Sequence, residues 1–211
     1  MFEIEYKGAN TVVISTKKAT LVSDPKLSLV GLKDMKLKDA VEVATETRFS
    51  VTNPDARLEI DGPGEYGVAD FDITGIAAQR HLDTEKDEFL STMYRIEVGG
   101  VRIGLLGNIY EKLSEDQLEA LGVIDILVLP VGGNGYTLDA TGAAGLVRQI
   151  DPQVVIPVHY ADDGINYEVP QDTVDTFTAE LGVPVETTAK YKVKQAISLP
   201  STLTTVVLTR S

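Results

Sequence analysis

The side chains able to do chemistry are few. Among 211 residues there are two histidines, His81 and His159, and no cysteine. Disulfides, thiolate metal sites and cysteine nucleophiles are therefore excluded. A metal site would have to combine imidazole with carboxylate. The best local set is His81-Leu82-Asp83 together with His159, three donors for one ion, with Glu46 as a further oxygen. Zinc sites need three or four well-placed ligands and outer partners that orient them. The plainer expectation is a buried, hydrogen-bonded imidazole at His159 and a loop residue at His81. Asn108, Asn134 and Tyr136 each follow an apolar run, and His159-Tyr160 closes another. In open α/β sheets, ligands gather beyond the carboxyl ends of strands. Asn108, Asn134, Tyr136, His159 and Tyr160 are thus expected to line one pocket. Gly132-Gly133-Asn134-Gly135 lacks the Lys-Ser/Thr of a phosphate loop. No Gly-x-Ser-x-Gly nucleophile motif is present.

The elements that must hold these residues change character along the chain. Met1 to Tyr6 alternates apolar and polar residues and reads as a strand. Asn10–Thr16 and Ala19–Ser23 flank Lys17-Lys18 as a hairpin, which Asp24-Pro25 stops because proline has no amide for the ladder. Residues 26–39 alternate Lys and Leu and remain ambiguous. Short strands are expected at Val41–Thr45, Arg57–Asp61, Tyr66–Val68 and Phe71–Ala77, with Gly62-Pro63-Gly64-Glu65 as a turn. Thr92–Val98 and Val101–Leu106 form a hairpin across Gly99-Gly100. The polar stretch 79–90 reads as an exposed loop.

From residue 107 onward helix and strand alternate. Ser114-Glu115-Asp116-Gln117 has the form of a capping box, with Gly122 as the stop. Strands at Ile124–Leu129, Val154–Val158 and Leu203–Thr209 are interleaved with helices over 139–150 and 171–181. In the last of these, Val174, Phe177, Thr178 and Leu181 share one face. Strands first, then strand–helix alternation, predict a mixed α/β protein with helices outside sheets.

Composition narrows the function classes. A 43% hydrophobic content can build a large core, and the length suits a single domain over residues 1–211. A net charge of −13 with no Lys/Arg run argues against nucleic acid and anionic lipid as partners. No apolar run is long enough to span a bilayer, and no signal peptide opens the chain, so a cytoplasmic protein is expected.

The segment Leu127-Val128-Leu129-Pro130-Val131-Gly132-Gly133, then Thr137 opening a helix, then Val155-Ile156-Pro157-Val158-His159-Tyr160, resembles the second half of metallo-β-lactamase-fold hydrolases, in the branch related to ascorbate-6-phosphate lactonase. Further likenesses lie upstream in the same order. They are Asp24-Pro25 after a hairpin, Gly62-Pro63-Gly64-Glu65-Tyr66 before Phe71–Ile76, and Val101–Ile103 leading to Leu106-Gly107-Asn108. The resemblance covers about residues 1–160 and implies a four-layer αββα sandwich, here a single metallo-β-lactamase-like domain. It also implies a two-metal centre built on His-x-His-x-Asp-His, where metal polarises a substrate oxygen and acidifies water. The stretch matching that motif is Thr45-Glu46-Thr47-Arg48-Phe49-Ser50. Its ligand positions read Thr45, Thr47, Phe49 and Ser50, none a good zinc ligand. The bridging Asp matches Asn108, the last ligand matches His159, and the middle one matches His81 or Arg80.

These residues predict a degenerate metal site and a cleft kept for binding, with little or no catalysis. Asp24, Thr45, Thr47, Asn108, Asn134, Tyr136, His159 and Tyr160 are the expected cleft residues, and no cofactor is expected. Alternatives are an active hydrolase of lactones or phosphoesters with a remodelled site, one zinc ion held by His81, Asp83 and His159, or a structural subunit. The partner would be a small molecule or a protein.

Overall fold

The first sheet is built by alternation. In β1 (Phe2–Gly8), Phe2, Ile4 and Tyr6 are buried while Glu3, Glu5 and Lys7 are only partly so, so one face meets the core. The computed structural model describes residues 1–82 and 90–211, and Asp83 lies outside the described residues. β2 (Thr11–Ser15) and β3 (Thr20–Ser23) form the expected hairpin. β4 (Val41–Val43) and β5 (Leu58–Ile60) then add in parallel beyond β3. The segment between β3 and β4, ambiguous in sequence, begins as a 3-10 turn over Leu27–Val30. Its Met35 and Leu37 pack on Val13, Val22 and Ala40, a small second apolar cluster on the outer face of this sheet.

The second sheet opens as an antiparallel meander of β6 (Gly64–Val68), β7 (Phe71–Ala78), β8 (Ser91–Val98) and β9 (Val101–Leu105). β6 starts two residues earlier than the sequence suggests, because Gly64 and Glu65 pair with Gly75 and Thr74 instead of turning. It then becomes parallel through β10 (Ile126–Pro130), β11 (Val154–Val158) and β14 (Thr204–Leu208). Every residue of β10 and β11 is buried, as expected of strands covered on both faces. On the outer side, α1 (Glu115–Leu121) contacts β7 and α2 (Ala140–Ile150) contacts β10 and α3 (Val174–Leu181).

Two strands escaped the sequence reading, β12 (Val185–Thr188) and β13 (Tyr191–Val193). β12 is exposed through most of its length, so no apolar period marks it. β12 edges the second sheet beside β14, whereas β13 crosses to the first sheet and pairs with β1. The sheet orders are therefore β13-β1-β2-β3-β4-β5 and β12-β14-β11-β10-β9-β8-β7-β6. Among the described residues no helix is long and apolar enough to cross a membrane.

Local signals fix the helix ends. The Ser114 side chain accepts from the Gln117 amide while the Gln117 side chain accepts from the Ser114 amide. Gln117 Nε2 also donates to the Ala77 carbonyl, so the cap orients α1 on β7. Ser114→Ala should cost about 1 kcal/mol. Urea unfolding would show it as a lower midpoint with an unchanged slope.

Candidate functional site

One rim of the molecule collects the ends of many strands. β3 delivers Asp24, β4 delivers Thr45 to Phe49, β9 delivers Asn108, β10 delivers the 131–136 loop and β11 delivers His159. The turn between β1 and β2 adds Ala9 and Asn10. The His159 amide donates to the Ala9 carbonyl at 2.8 Å, stitching the two sheets together at this rim. Ala9, Asp24 and His159 all hold left-handed backbone, with φ of 47°, 45° and 51°. Such conformations are costly for residues with a Cβ and tend to collect at functional sites.

Here a cleft of about 110 Å³ opens. Its floor carries Asn10, Asp24 and His159. Arg48, Phe49, Tyr136 and Tyr167 form its walls, and Lys26, Leu27, Leu29 and Val30 form an outer lip. Asp24 is almost fully buried and binds Thr45 twice, accepting from its amide at 2.6 Å and its hydroxyl at 2.7 Å. Burial pushes the Asp24 carboxyl up to about 7, against the pull of the Thr45 bonds. Asn10 stands between two partners. Its Nδ2 donates to Asn108 Oδ1 at 3.2 Å, and its Oδ1 lies 3.0 Å from His159 Nδ1. With the amide so oriented, Oδ1 can only accept, so Nδ1 carries the imidazole proton and Nε2 keeps its lone pair. Nε2 is buried with no hydrogen-bond partner among the described residues. Burial, and then the charge of Arg48, pull His159 down to about 3, so the ring is neutral.

Arg48 shares the cleft with the ionisable side chains of Lys26, Asp24 and Glu168. Its Nε is 2.8 Å from Glu46 Oε2, and its guanidinium carbon lies 4.6 Å over the Phe49 ring and 5.3 Å over the Tyr136 ring. Glu46 is itself buried and also meets Arg80 at 3.6 Å. Tyr136 and Tyr167 flank the imidazole, with centroids 5.4 and 4.8 Å away.

The structure thus brings Asp24, Tyr136 and His159 into the cleft, with Thr45 bound to Asp24 and Asn108 behind Asn10. Thr47 is exposed within a 3-10 turn over Thr47–Phe49 and does not line it. Asn134 turns outward to Asp172 and the Gly132 carbonyl. Tyr160 packs on Tyr6 and donates to the Leu208 carbonyl, behind the cleft. His81 holds the Asn108 carbonyl through its own amide. The sequence reading missed Asn10, Tyr167 and the role of Arg48. For Arg48 a signal existed, since it alternates with apolar Phe49 inside the motif-matching stretch.

The geometry defines a metallo-β-lactamase-type αβ hydrolase fold with its rim cleft intact. Residues 3–159 match the beta-lactamase superfamily domain, and the chain belongs to that family. A Thermotoga maritima structure, assigned to the Zn-dependent hydrolases of the metallo-beta-lactamase superfamily, superposes with a TM-score of 0.77 at 21% identity, covering 99% of each chain. Igni18, a metallo hydrolase of Ignicoccus hospitalis, gives 0.61 at 17% identity over 86% of this chain and 90% of its own. At such identities the likeness is one of fold. A UPF0173 metal-dependent hydrolase of Thermoplasma acidophilum is 46% identical over 46 residues, 20% of each chain. A UPF0173 protein of Pyrococcus furiosus is 36% identical over 67 residues, 32% of this chain and 30% of its own. The chain therefore matches less than a third of the length of these curated relatives.

The family implies a divalent metal, and the donors here do not fit one. His159 Nε2 offers a lone pair, but the side chains hydrogen-bonded around the ring are the neutral amides of Asn10 and Asn108, and each Asp24 oxygen already accepts a hydrogen bond from Thr45. Arg48 lies close enough to depress the imidazole, so a dication beside it would meet a fixed positive charge. Among the described residues no three His, Asp or Glu side chains converge as a metal site.

Proposed function

We propose that this chain uses the hydrolase cleft as a metal-independent binding site for a small molecule. The observation that carries the reading is Arg48, a guanidinium clamped by Glu46 and two aromatic rings beside His159. The Arg48–Glu46 ion pair places a guanidinium beside His159, where it disfavours a dication at the imidazole. Protein purified without chelator should hold far less than one zinc, manganese or iron per chain. Added zinc should leave the melting temperature unchanged, whereas a site filled at a hundred times its Kd would add about 2.7 kcal/mol. Stoichiometric metal, or a zinc-dependent rise in melting temperature, would overturn the reading.

A second reading, hydrolysis of a lactone or phosphoester with His159 as general base, is favoured by the free Nε2 lone pair. An imidazole held near 3 is a weak base at neutral pH, where catalytic bases work best with a pKa close to the medium. That difference favours binding over turnover. The assay is a panel of both ester classes, with His159→Ala expected to abolish any activity found.

A further inference from the structure

The cleft presents three unmatched demands within a small volume. Glu46 covers the Nε edge of Arg48, contacting Nε at 2.8 Å and accepting from Nη2 at 3.3 Å. The guanidinium still lines the cleft and is only partly buried. Tyr136 also shares a hydrogen bond with Arg48 and Glu168 lines the same cleft, so a carboxylate is recognised by the guanidinium N–H groups that remain on its partly exposed side. His159 is 3% exposed, and its Nε2 accepts from no donor among the described residues. A buried acceptor without a donor is costly, so a bound molecule gains by bringing an O–H or N–H to it. The lip is aliphatic, with Leu27, Leu29 and Val30 beside Lys26. Leu29 is 47% exposed, an open apolar surface among the described residues.

From these we infer that the cleft takes a short hydroxy carboxylate with an apolar tail. Its carboxylate sits on Arg48, its hydroxyl donates to His159 Nε2, and its tail lies on Leu27, Leu29 and Val30. This rests on the metal-independent reading of the same cleft. Size agrees, since about 110 Å³ is somewhat less than the ~150 Å³ cavity that accepts benzene. That room holds a head and a few carbons, with the remainder on the lip. The tyrosine walls bind the flat head without adding a charge, and the Asn10 relay keeps Nε2 an acceptor. A ligand lacking the hydroxyl would leave Nε2 buried and unpaired, a penalty that discriminates strongly.

Calorimetric titration with four probes tests this: 2-hydroxyisocaproate, its 3-hydroxy isomer, isocaproate and the matching uncharged diol. One hydroxy acid should bind at least about tenfold more tightly than isocaproate, and the diol should not bind measurably. Arg48→Met should weaken both acids by about tenfold or more. In the wild-type protein, the nitrogen-15 resonance of His159 Nε2 should move on adding the hydroxy acid and stay put with isocaproate. This readout needs no substitution, and two histidines are easily distinguished. Equal affinity for isocaproate or the diol, or a still Nε2 resonance, would overturn the ligand class. Failure of all four probes with metal content still low would also overturn it, while the metal-free reading stands. Zinc that binds stoichiometrically and shifts Nε2 would remove that underlying reading as well.

Discussion

Asp24→Asn will make the protein lose stability steeply as the pH falls below about 6.5, by roughly 3 kcal/mol at pH 4. The cause is His159. Its imidazole titrates at 6.5 when exposed and is held down to about 3 by burial and by Arg48. The unfolded chain therefore takes up a proton that the folded one refuses, and stability present above 6.5 drains away toward 3 at ~1.4 kcal/mol per pH unit. Asp24 works in the opposite sense. Its carboxyl moves from 3.8 up to about 7, so the folded state keeps a proton the unfolded state has lost. Its contribution is present below 3.8 and disappears as the pH rises to about 7. Between about pH 4 and 6.5 the two slopes cancel. Removing either residue exposes the other, so His159→Gln should instead lose stability as the pH climbs through the same window. Asparagine keeps an acceptor for the Thr45 amide, and the Thr45 hydroxyl can turn to accept from its new amide. Urea midpoints of wild type and both variants at half-unit pH steps give the answer. Parallel curves for all three would refute the opposed pair.

Gly132→Ala carries the other large expected effect. A Cβ at this position would run into the backbone carbonyl oxygen of His159 and into Gln171 Oε1. The side chain of Gln171 can swing aside, but the carbonyl cannot move without shifting β11 and the imidazole it delivers. The Gly132 carbonyl also accepts from the Asp172 amide at 2.7 Å, which pins the loop from the other side. Overpacking of this kind costs about 1–3 kcal/mol and is worse where backbone must yield. The expected result is a loss of about 3 kcal/mol in urea unfolding, with a displaced His159 imidazole resonance. Gly145→Ala is the control. It lies inside α2 with open space at its Cβ, so it should gain up to about 1 kcal/mol from helix propensity.

Much of the framework was legible because local rules and burial agree. The alternation in Phe2 to Tyr6, the capping box at Ser114 and the fully apolar run Ile126–Leu129 each point to one structure. The second helix is expected to open at Thr137 or Asp139, and Asp139 caps it through the Gly142 amide, so α2 begins at Ala140. What stayed hidden depends on pairing between distant residues. Lys192 and Val185 look like surface residues, and only β1 and β14 make strands of their segments. The cleft divides the same way. His159 was legible as a histidine closing a strand, and Asp24 through the Asp-Pro that resembles the family's. Asn10 was not, because its worth comes from touching His159 and Asn108, at sequence distances of 149 and 98. Thr47 shows the reverse error. Its place in the matching stretch suggests a cleft residue, yet the 3-10 turn points it to solvent and sends Arg48 inward.

The strand β13 carries a consequence for how this polypeptide comes into being. Phe2, Glu3 and Ile4 form their ladder with Val193, Lys192 and Tyr191. Until residues 191–193 have been made and folded back, β1 keeps one flank without its ladder partner. Such an unpaired edge invites pairing with other chains, and closing so long a loop is slow. Once in place, β13 becomes the outer strand on that side, so the seven-residue flank of β1 is exchanged for an edge of only three residues.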